Sequence, residues 1–395
     1  MKLLVLQSEL GVLRGGGENF TRNLFTAFAA RGHRVAAAFA ADRMARYSIP
    51  MPTAIEPIPI PGWWSRNFGQ ATLALIRRYI PRRCALGFQF ERIQQGIGWR
   101  TSRVHDKRFQ MRIEEEFARR WSDFDVVYVH SNVFLASKIA CCHPTILRLP
   151  GPCSADLEPV LSSIPVVCAN GDALARIRTF LGEHAVELPI GVDTDLFRPE
   201  GDSVRKGLGW NNGDQVVGYV GRLTHLKGVD LLADAFREIS RGHENTKLLI
   251  VGSGPEGSYI RQSLAGESAE GVVHIEPDVD HEELPSWYRA MDFLVMPSRY
   301  ENFSNAVLEA MACGIPFLAS DTGGNRLLSK TGAGRFFRPA SLSSLASGMR
   351  KMLEDKAETK ARGELAARYA HDGLSWAACA ERLEEIIISR LEVKG

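Results

Sequence analysis

The run QVVGYVGRLTHLKGVDLLADAFREIS, Gln215 to Ser240, passes from a short apolar strand through a basic loop bounded by Gly221 and Gly228 into a helix-like segment. Strand, tight loop and helix in immediate succession are half of a βαβ unit, the connection that parallel strands require. The pattern repeats outward in both directions. TKLLIVG, GVVHI, DFLVMPS and IPFLAS read as further strands, with EELPSWYRAM and FSNAVLEAMAC as intervening helices. Toward the N-terminus, KLLVLQ, a glycine loop, NFTRNLFTAFAARGH with Gly32 placed to end a helix, and RVAAAF form the same unit, followed by DVVYVH, PTILRL and PVVCA. The Pro- and Gly-punctuated segment ELPIGVDTDLFRPEGD, Glu187 to Asp202, reads as a linker between two such halves. The expected architecture is α/β, with two doubly wound domains facing a central cleft, 1–190 and 191–373. In such sheets ligands bind beyond the carboxyl ends of the strands, so the loops there carry the functional reading. The tail SWAACAERLEEIIISRL places Trp376, Leu383, Ile386, Ile387 and Leu391 on one helical stripe that must pack on something.

Bulk composition agrees with two cores: 395 residues, 45% hydrophobic and 24% charged, exceed what one core ordinarily holds. Seven cysteines, odd in number and without C-x-x-C spacing, disfavour a disulfide framework or a zinc site and fit a reduced cytoplasm. Gln7, Ser8 and Glu9 interrupt the N-terminal apolar run before a signal-peptide core forms, and no stretch approaches the roughly 18 apolar residues of a membrane span. The net charge of +2 is uneven: from Pro61 to Arg112, eleven Lys and Arg face two acids, Glu91 and Asp106. Arg66, Arg77, Arg78, Arg82, Arg83 and Arg92 interleave there with Trp63, Trp64, Phe68, Tyr79, Phe88 and Phe90. That mixture suits an anionic membrane surface, the alternative being a solvated basic face. No nucleic-acid-binding motif accompanies it. The expected location is cytoplasmic, peripheral at the inner face of the membrane.

Four loops fall at strand ends. RGGGENF, Arg14 to Phe20, opens a helix as phosphate loops do, but Phe20 stands where a dinucleotide fingerprint needs its third glycine; a plain tight turn is the alternative. GRLTHLKG offers Arg222 and Lys227, which suit a diphosphate or, read singly, a solvated loop. VGSGPEG, Val251 to Gly257, is a further glycine-rich exit. The fourth is SRYENFSNAVLEAMACGIP, Ser298 to Pro316, whose helix is expected to begin near Phe303 or Ser304 and to stop at Cys313 before Gly314 and Pro316. Glu301 then lies before the helix and Glu309 about one and a half turns into it. A helix start attracts an anion and carboxylates accept from hydroxyls, which together describe a nucleotide sugar: ribose, diphosphate, hexose. A helix-dipole role for Glu301 and a surface position for Glu309 are the alternatives.

Taken jointly, these residues resemble the retaining glycosyltransferases of the GT-B fold, the large group often called glycosyltransferase family 4. GRLTHLKG matches G-R-L-x-x-x-K-G, ENFSNAVLE matches E-x7-E, GGGENFTRNLFTAFAARGHRV is similar to the family's N-terminal loop and helix, and VVYVHSN to its first-domain strand ending in a histidine. The resemblance covers most of the second domain and the edges of the first. It implies two Rossmann-like domains, the first on the acceptor side and the second binding the nucleotide-sugar donor, with a C-terminal helix, about 374–395, returning to the first. It further implies that Arg222 and Lys227 hold the diphosphate, assisted by backbone amides at Phe303, Ser304 and Asn305. Glu309 would bind ribose hydroxyls and Glu301 those of the transferred sugar. His130 would approach that sugar from the other domain, and Gly16 and Gly17 would let the first-domain loop close on the donor. Catalytic roles fall to Glu301, His130, Arg222 and Lys227. Two positions depart from the pattern: Ile190 stands for asparagine in PIGVD, and Asn302 for glycine after Glu301.

The implied reaction moves a hexose-type sugar with retention to a saccharide or lipid-linked acceptor, in cell-surface glycan synthesis. No cofactor and no metal are expected, because the two cations supply the electrostatics; Asp278-Val279-Asp280 has D-x-D spacing but reads as a loop ahead of a helix. A nicotinamide oxidoreductase is disfavoured by the missing glycine. A sugar-nucleotide epimerase and a non-catalytic carbohydrate-binding protein are the competing readings.

Overall fold

The structure is a computed structural model that describes residues 1–10, 16–42, 50–62, 107–117, 119–151, 153–301 and 303–391. The chain forms two compact units: Met1–Cys168, Arg178–Val186 and Leu383–Gly395 make the first, Ala169–Ile177 and Glu187–Arg382 the second. A boundary at 190 was expected; Ala169–Ile177 instead group with the second unit.

The first unit is built on strands β1 (Lys2–Leu6), β2 (Arg34–Asp42), β3 (Ile55–Gly62), β4 (Val126–His130), β5 (Thr145–Arg148), β6 (Val166–Ala169) and β7 (Ala185–Glu187), ordered β3-β2-β1-β4-β5-β6-β7. β1 is parallel to both neighbours, Leu4 standing opposite Ala36 on one side and Val127 on the other. Helix α1 (Gly16–Ala30) covers the sheet with Phe20, Thr21, Leu24, Phe25 and Phe28, a three-and-four spacing that gives one buried face. Phe25 meets the ring of Tyr128 on β4 edge to face at 4.8 Å. Each buried Leu or Phe of this face contributes roughly 1.5–3 kcal/mol. Gly32, at φ +90°, follows the helix end as expected.

The second unit repeats the plan with β8 (Gln215–Val220), β9 (Thr246–Val251), β10 (Val273–Glu276), β11 (Phe293–Met296), β12 (Phe317–Ser320) and β13 (Gly334–Phe337), ordered β10-β9-β8-β11-β12-β13. The complete burial of β11 and β12, apolar but for Ser320, is that of parallel strands covered on both faces. In both sheets the order reverses beside the first strand, between β1 and β4 and between β8 and β11. A doubly wound sheet leaves a crevice at the carboxyl side of such a reversal, which fixes where each unit can hold a ligand.

β3, IEPIPIPG, was not expected as a strand, because proline is excluded from central ladders. It is an edge strand paired only with β2. Pro57 and Pro59 have the same parity, so the missing N–H groups fall on one side. The C-terminal helix Trp376–Leu391 buries Leu383, Ile386 and Ile387. The linker is anchored where Val192 N donates to Leu374 O at 2.7 Å.

Candidate active site

In the second unit, the loop leaving β8 carries GRLTHLKG and the loop leaving β11 carries Glu301, so both motifs lie at the strand-order reversal. The structure joins them. Lys227 Nζ forms an ion pair with Glu301 Oε2, and Ser298 Oγ donates to the same oxygen at 3.2 Å. Glu301 is 6% exposed, so its charge needs these partners. Arg222 is exposed, and no hydrogen bond or ion pair of its guanidinium occurs among the described residues. The turn between them requires glycine at 228: φ is +69°, and a Cβ there would lie 2.0 Å from the Pro297 carbonyl oxygen.

Helix Asn305–Ala312 begins at Asn305, slightly later than expected, with Ser304 at the N-cap position. Ser304 makes no side-chain capping bond, so it does not serve the first N–H groups of this helix. Phe303 packs on the core and Ser304 is buried, while Asn305 is exposed. Gly314 follows the helix at φ +76°. Glu309 is half-buried and accepts from Tyr288 Oη at 2.7 Å. Burial pushes the Glu309 carboxyl above the usual range, and the Tyr288 hydroxyl and the nearby His281 offset this only in part.

Three residues of this region escaped the sequence reading. Tyr288, on the short helix Leu284–Tyr288, is fully buried and holds Glu309; a buried tyrosine hydroxyl needs a polar partner, but nothing local names it. Arg299 chelates Asp230 with bonds of 2.7 and 2.8 Å, donates to His225 O at 2.6 Å, and its backbone N–H donates to Leu226 O at 2.9 Å. Burial opposes ionisation of Asp230, but Arg299 outweighs it and holds the carboxyl below the ordinary range. This clasp aligns the two motif loops; its signal in the sequence was a charge of each sign flanking them. The glycines of VGSGPEG have a packing cause. A Cβ at Gly252 would lie 2.1 Å from Gly221 O, and one at Gly254 2.5 Å from Leu223 O, so this loop backs the basic one. Asp278 and Asp280 sit exposed in a loop, and among the described residues no group of three or more His, Cys, Asp and Glu is placed to hold a metal.

In the first unit, His130 ends β4 and is 8% exposed. Burial, reinforced by the charge of Arg148, lowers its pKa to about 3, so the imidazole is neutral. Thr21 Oγ1 lies 3.5 Å from Nδ1. A Cβ at Gly17 would come within 3.1 Å of Nε2, whereas one at Gly16 would meet nothing within 4 Å among the described residues. Gly17 thus lets α1 start against the imidazole. A cavity of 330 Å³ opens beside this pair.

Residues 201–370 match the family described as glycosyl transferases group 1. The chain is 32% identical over 213 residues to D-inositol 3-phosphate glycosyltransferase 1 of Catenulispora acidiphila, covering 51% of each. It is 31% identical over 234 residues to the GDP-mannose-dependent alpha-(1-6)-phosphatidylinositol monomannoside mannosyltransferase of Mycolicibacterium smegmatis, covering 56% of this chain and 61% of that one. The chain thus spans about half the length of the curated relatives it matches. Among solved structures, sucrose-phosphate synthase from Thermosynechococcus elongatus superposes with a TM-score of 0.72 at 20% identity, covering all of both chains. The fold is GT-B, as the resemblance implied.

Proposed function

We propose that this chain, whose residues 201–370 match the glycosyl transferases group 1 family, is a retaining glycosyltransferase that moves a hexose-type sugar from a nucleotide-diphosphate sugar to a saccharide or lipid-linked acceptor. The observation that carries the reading is the Lys227–Glu301 pair, which unites the basic loop and the E-x7-E segment in one site beside an uncapped helix start. The relatives' names support a nucleotide-sugar donor and a polyol-containing acceptor.

In this reading an incoming diphosphate takes the Lys227 ammonium from Glu301 and gains Arg222, which is already disengaged. Glu301, relieved of its cation, accepts hydrogen bonds from the sugar hydroxyls, and Glu309, held by Tyr288, accepts from the ribose. The anomeric carbon–oxygen bond to the diphosphate breaks, the acceptor oxygen bonds to the same face, and the acceptor proton passes to the departing diphosphate oxygen. Arg222 and Lys227 stabilise the negative charge on that group without a metal or cofactor. Glu301 and Glu309 are therefore not the acid/base pair of a glycosidase. His130, in the first unit, is a neutral imidazole with one ring donor and one ring acceptor.

Incubation with a panel of nucleotide sugars and neutral or lipid-linked acceptors tests the reading. The expected products are nucleoside diphosphate and a glycoside whose anomeric configuration, read by NMR, is that of the donor. An inverted product would remove the retaining mechanism, and conversion of the donor alone to its epimer would replace transfer with epimerisation.

A further inference from the structure

Three tyrosines are fully buried among the described residues: Tyr128 on β4, Tyr219 on β8 and Tyr288 on the helix Leu284–Tyr288. A buried phenol is expected to find a partner for its hydroxyl, since an unmet one costs free energy. Tyr128 Oη has none among the described residues, so burial in this chain does not by itself secure one. The other two hydroxyls do find partners, and in the proposed reading both partners serve the donor. Tyr288 Oη donates to the Glu309 carboxylate at 2.7 Å, and Tyr219 Oη donates to the Arg222 carbonyl at 2.9 Å.

That carbonyl sits at the turn of the basic loop. Gly221 N donates to Val251 O at 3.0 Å, Leu223 N to Ser253 O at 2.9 Å, and Glu256 N to Leu223 O at 2.9 Å. The residues on either side of Arg222 are therefore fastened to the loop that leaves β9. Arg222 O receives Thr224 N at 3.0 Å together with the Tyr219 hydroxyl. Among the described residues, Tyr219 supplies the one side-chain hydrogen bond to the backbone of residues 221–224. Its hydroxyl lies close under the turn, because a Cβ at Gly221 would come within 3.3 Å of it. Burial, and after it the charge of Glu301, raises the Tyr219 hydroxyl above its usual range, which keeps it a proton donor and sets it in the field of the second motif loop. The Arg222 guanidinium has no partner among the described residues, so what the fold fixes of this residue is its backbone. A long exposed side chain loses rotamer freedom on binding, and a loose backbone beneath it would add to that loss.

We propose that Tyr219 is a positioning residue for the diphosphate, acting through the Arg222 carbonyl, and that Tyr288 stands in the same relation to the ribose through Glu309. Two buried hydroxyls then serve the two halves of the donor separately. The inference rests on the transferase reading and deepens its donor site.

Calorimetric titration of the whole protein with uridine and guanosine diphosphates, the matching monophosphates and the 2′,3′-dideoxy diphosphates tests it. Two ratios are read for the nucleoside that wild type prefers: the gain in affinity from mono- to diphosphate, and the gain from dideoxyribose to ribose. Tyr219→Phe, which removes only the hydroxyl and keeps the ring that packs the core, is expected to cut the first ratio about 5-fold and leave the second unchanged. Tyr288→Phe is expected to do the reverse. Tyr219→Phe combined with Arg222→Ala is expected to bind diphosphate no more weakly than Arg222→Ala alone, since a residue that acts through another adds nothing once that one is gone. A tyrosine that only packs the core would move both ratios together or neither. With wild-type diphosphate binding in hand, four results would overturn the inference alone: an unchanged first ratio in Tyr219→Phe, an unchanged second ratio in Tyr288→Phe, equal loss of both ratios in either variant, or a Tyr219→Phe loss that adds in full to that of Arg222→Ala. Absence of diphosphate binding by wild type would overturn the transferase reading and the inference with it.

Discussion

Arg222 and Lys227 share one loop but differ in what holds them, and the difference separates their expected phenotypes. Lys227 neutralises a buried carboxylate, whereas Arg222 is exposed and unengaged among the described residues. Arg222→Ala is expected to lower turnover about 10²-fold with stability unchanged within about 0.5 kcal/mol. Lys227→Ala is expected to lose at least as much turnover and also about 1–3 kcal/mol of stability, because Glu301 keeps only the Ser298 hydroxyl. Steady-state kinetics beside chemical denaturation reads both; equal stability losses would contradict the ion pair's role. Gly17 and Gly16 form a second contrast. Gly17→Ala brings a Cβ to 3.1 Å from His130 Nε2 and should depress turnover by displacing the imidazole, without unfolding the chain. Gly16→Ala meets nothing among the described residues and should leave the melting temperature unchanged.

Helix Asn305–Ala312 shows what an element adds to its residues. Its start lacks a side-chain cap from Ser304, while its middle holds Glu309 in surroundings that disfavour charge. A carboxyl whose pKa is raised in the folded state stabilises the fold when protonated, and that contribution is lost as pH rises from the unfolded value through the raised one. At neutral pH an ionised Glu309 is therefore a burden on stability, which the proposed reading explains by ribose binding. Glu309→Gln is expected to raise the melting temperature at pH 7, to lose that advantage near pH 4, and to weaken donor binding about 10-fold. A lower melting temperature at pH 7 would contradict the burial argument. The element scale also shows what the sequence displayed and what it hid. Strand-end loops such as GRLTHLKG are local, so their residues and their placement beside β8 were legible. The Lys227–Glu301 and Tyr288–Glu309 contacts join positions 74 and 21 residues apart, and only the folded sheet brings them together. β3 was hidden because its alternating prolines mimic a non-strand, a disguise an edge position permits.

At the scale of the whole molecule, two doubly wound units share the same strand-order reversal, and in the proposed reading the second recognises the phosphates. Because Arg222 and Lys227 serve the diphosphate in the proposed reading, transfer is expected to survive EDTA; loss restored by manganese or magnesium would return Asp278 and Asp280 to consideration. The basic, aromatic window between Pro61 and Arg112 lies mostly outside the described residues, and among those described no helix is long and apolar enough to cross a membrane. Peripheral binding to anionic lipid remains its proposed role, at roughly 1 kcal/mol per basic residue. Sedimentation with anionic liposomes is expected to retain the protein at low salt and to release it when Arg77, Arg78, Arg82 and Arg83 become glutamine; no binding at low salt would end the proposal. The central claim, that the second unit holds a nucleoside diphosphate through Arg222 and Lys227, is tested most directly by calorimetric titration of the whole protein with a nucleoside, its monophosphate and its diphosphate, in wild type and Arg222→Ala. The expected result is an affinity that rises at least 10-fold from mono- to diphosphate in wild type and loses that increment in the variant. Equal affinities for the three ligands, or an increment unchanged by Arg222→Ala, would contradict it.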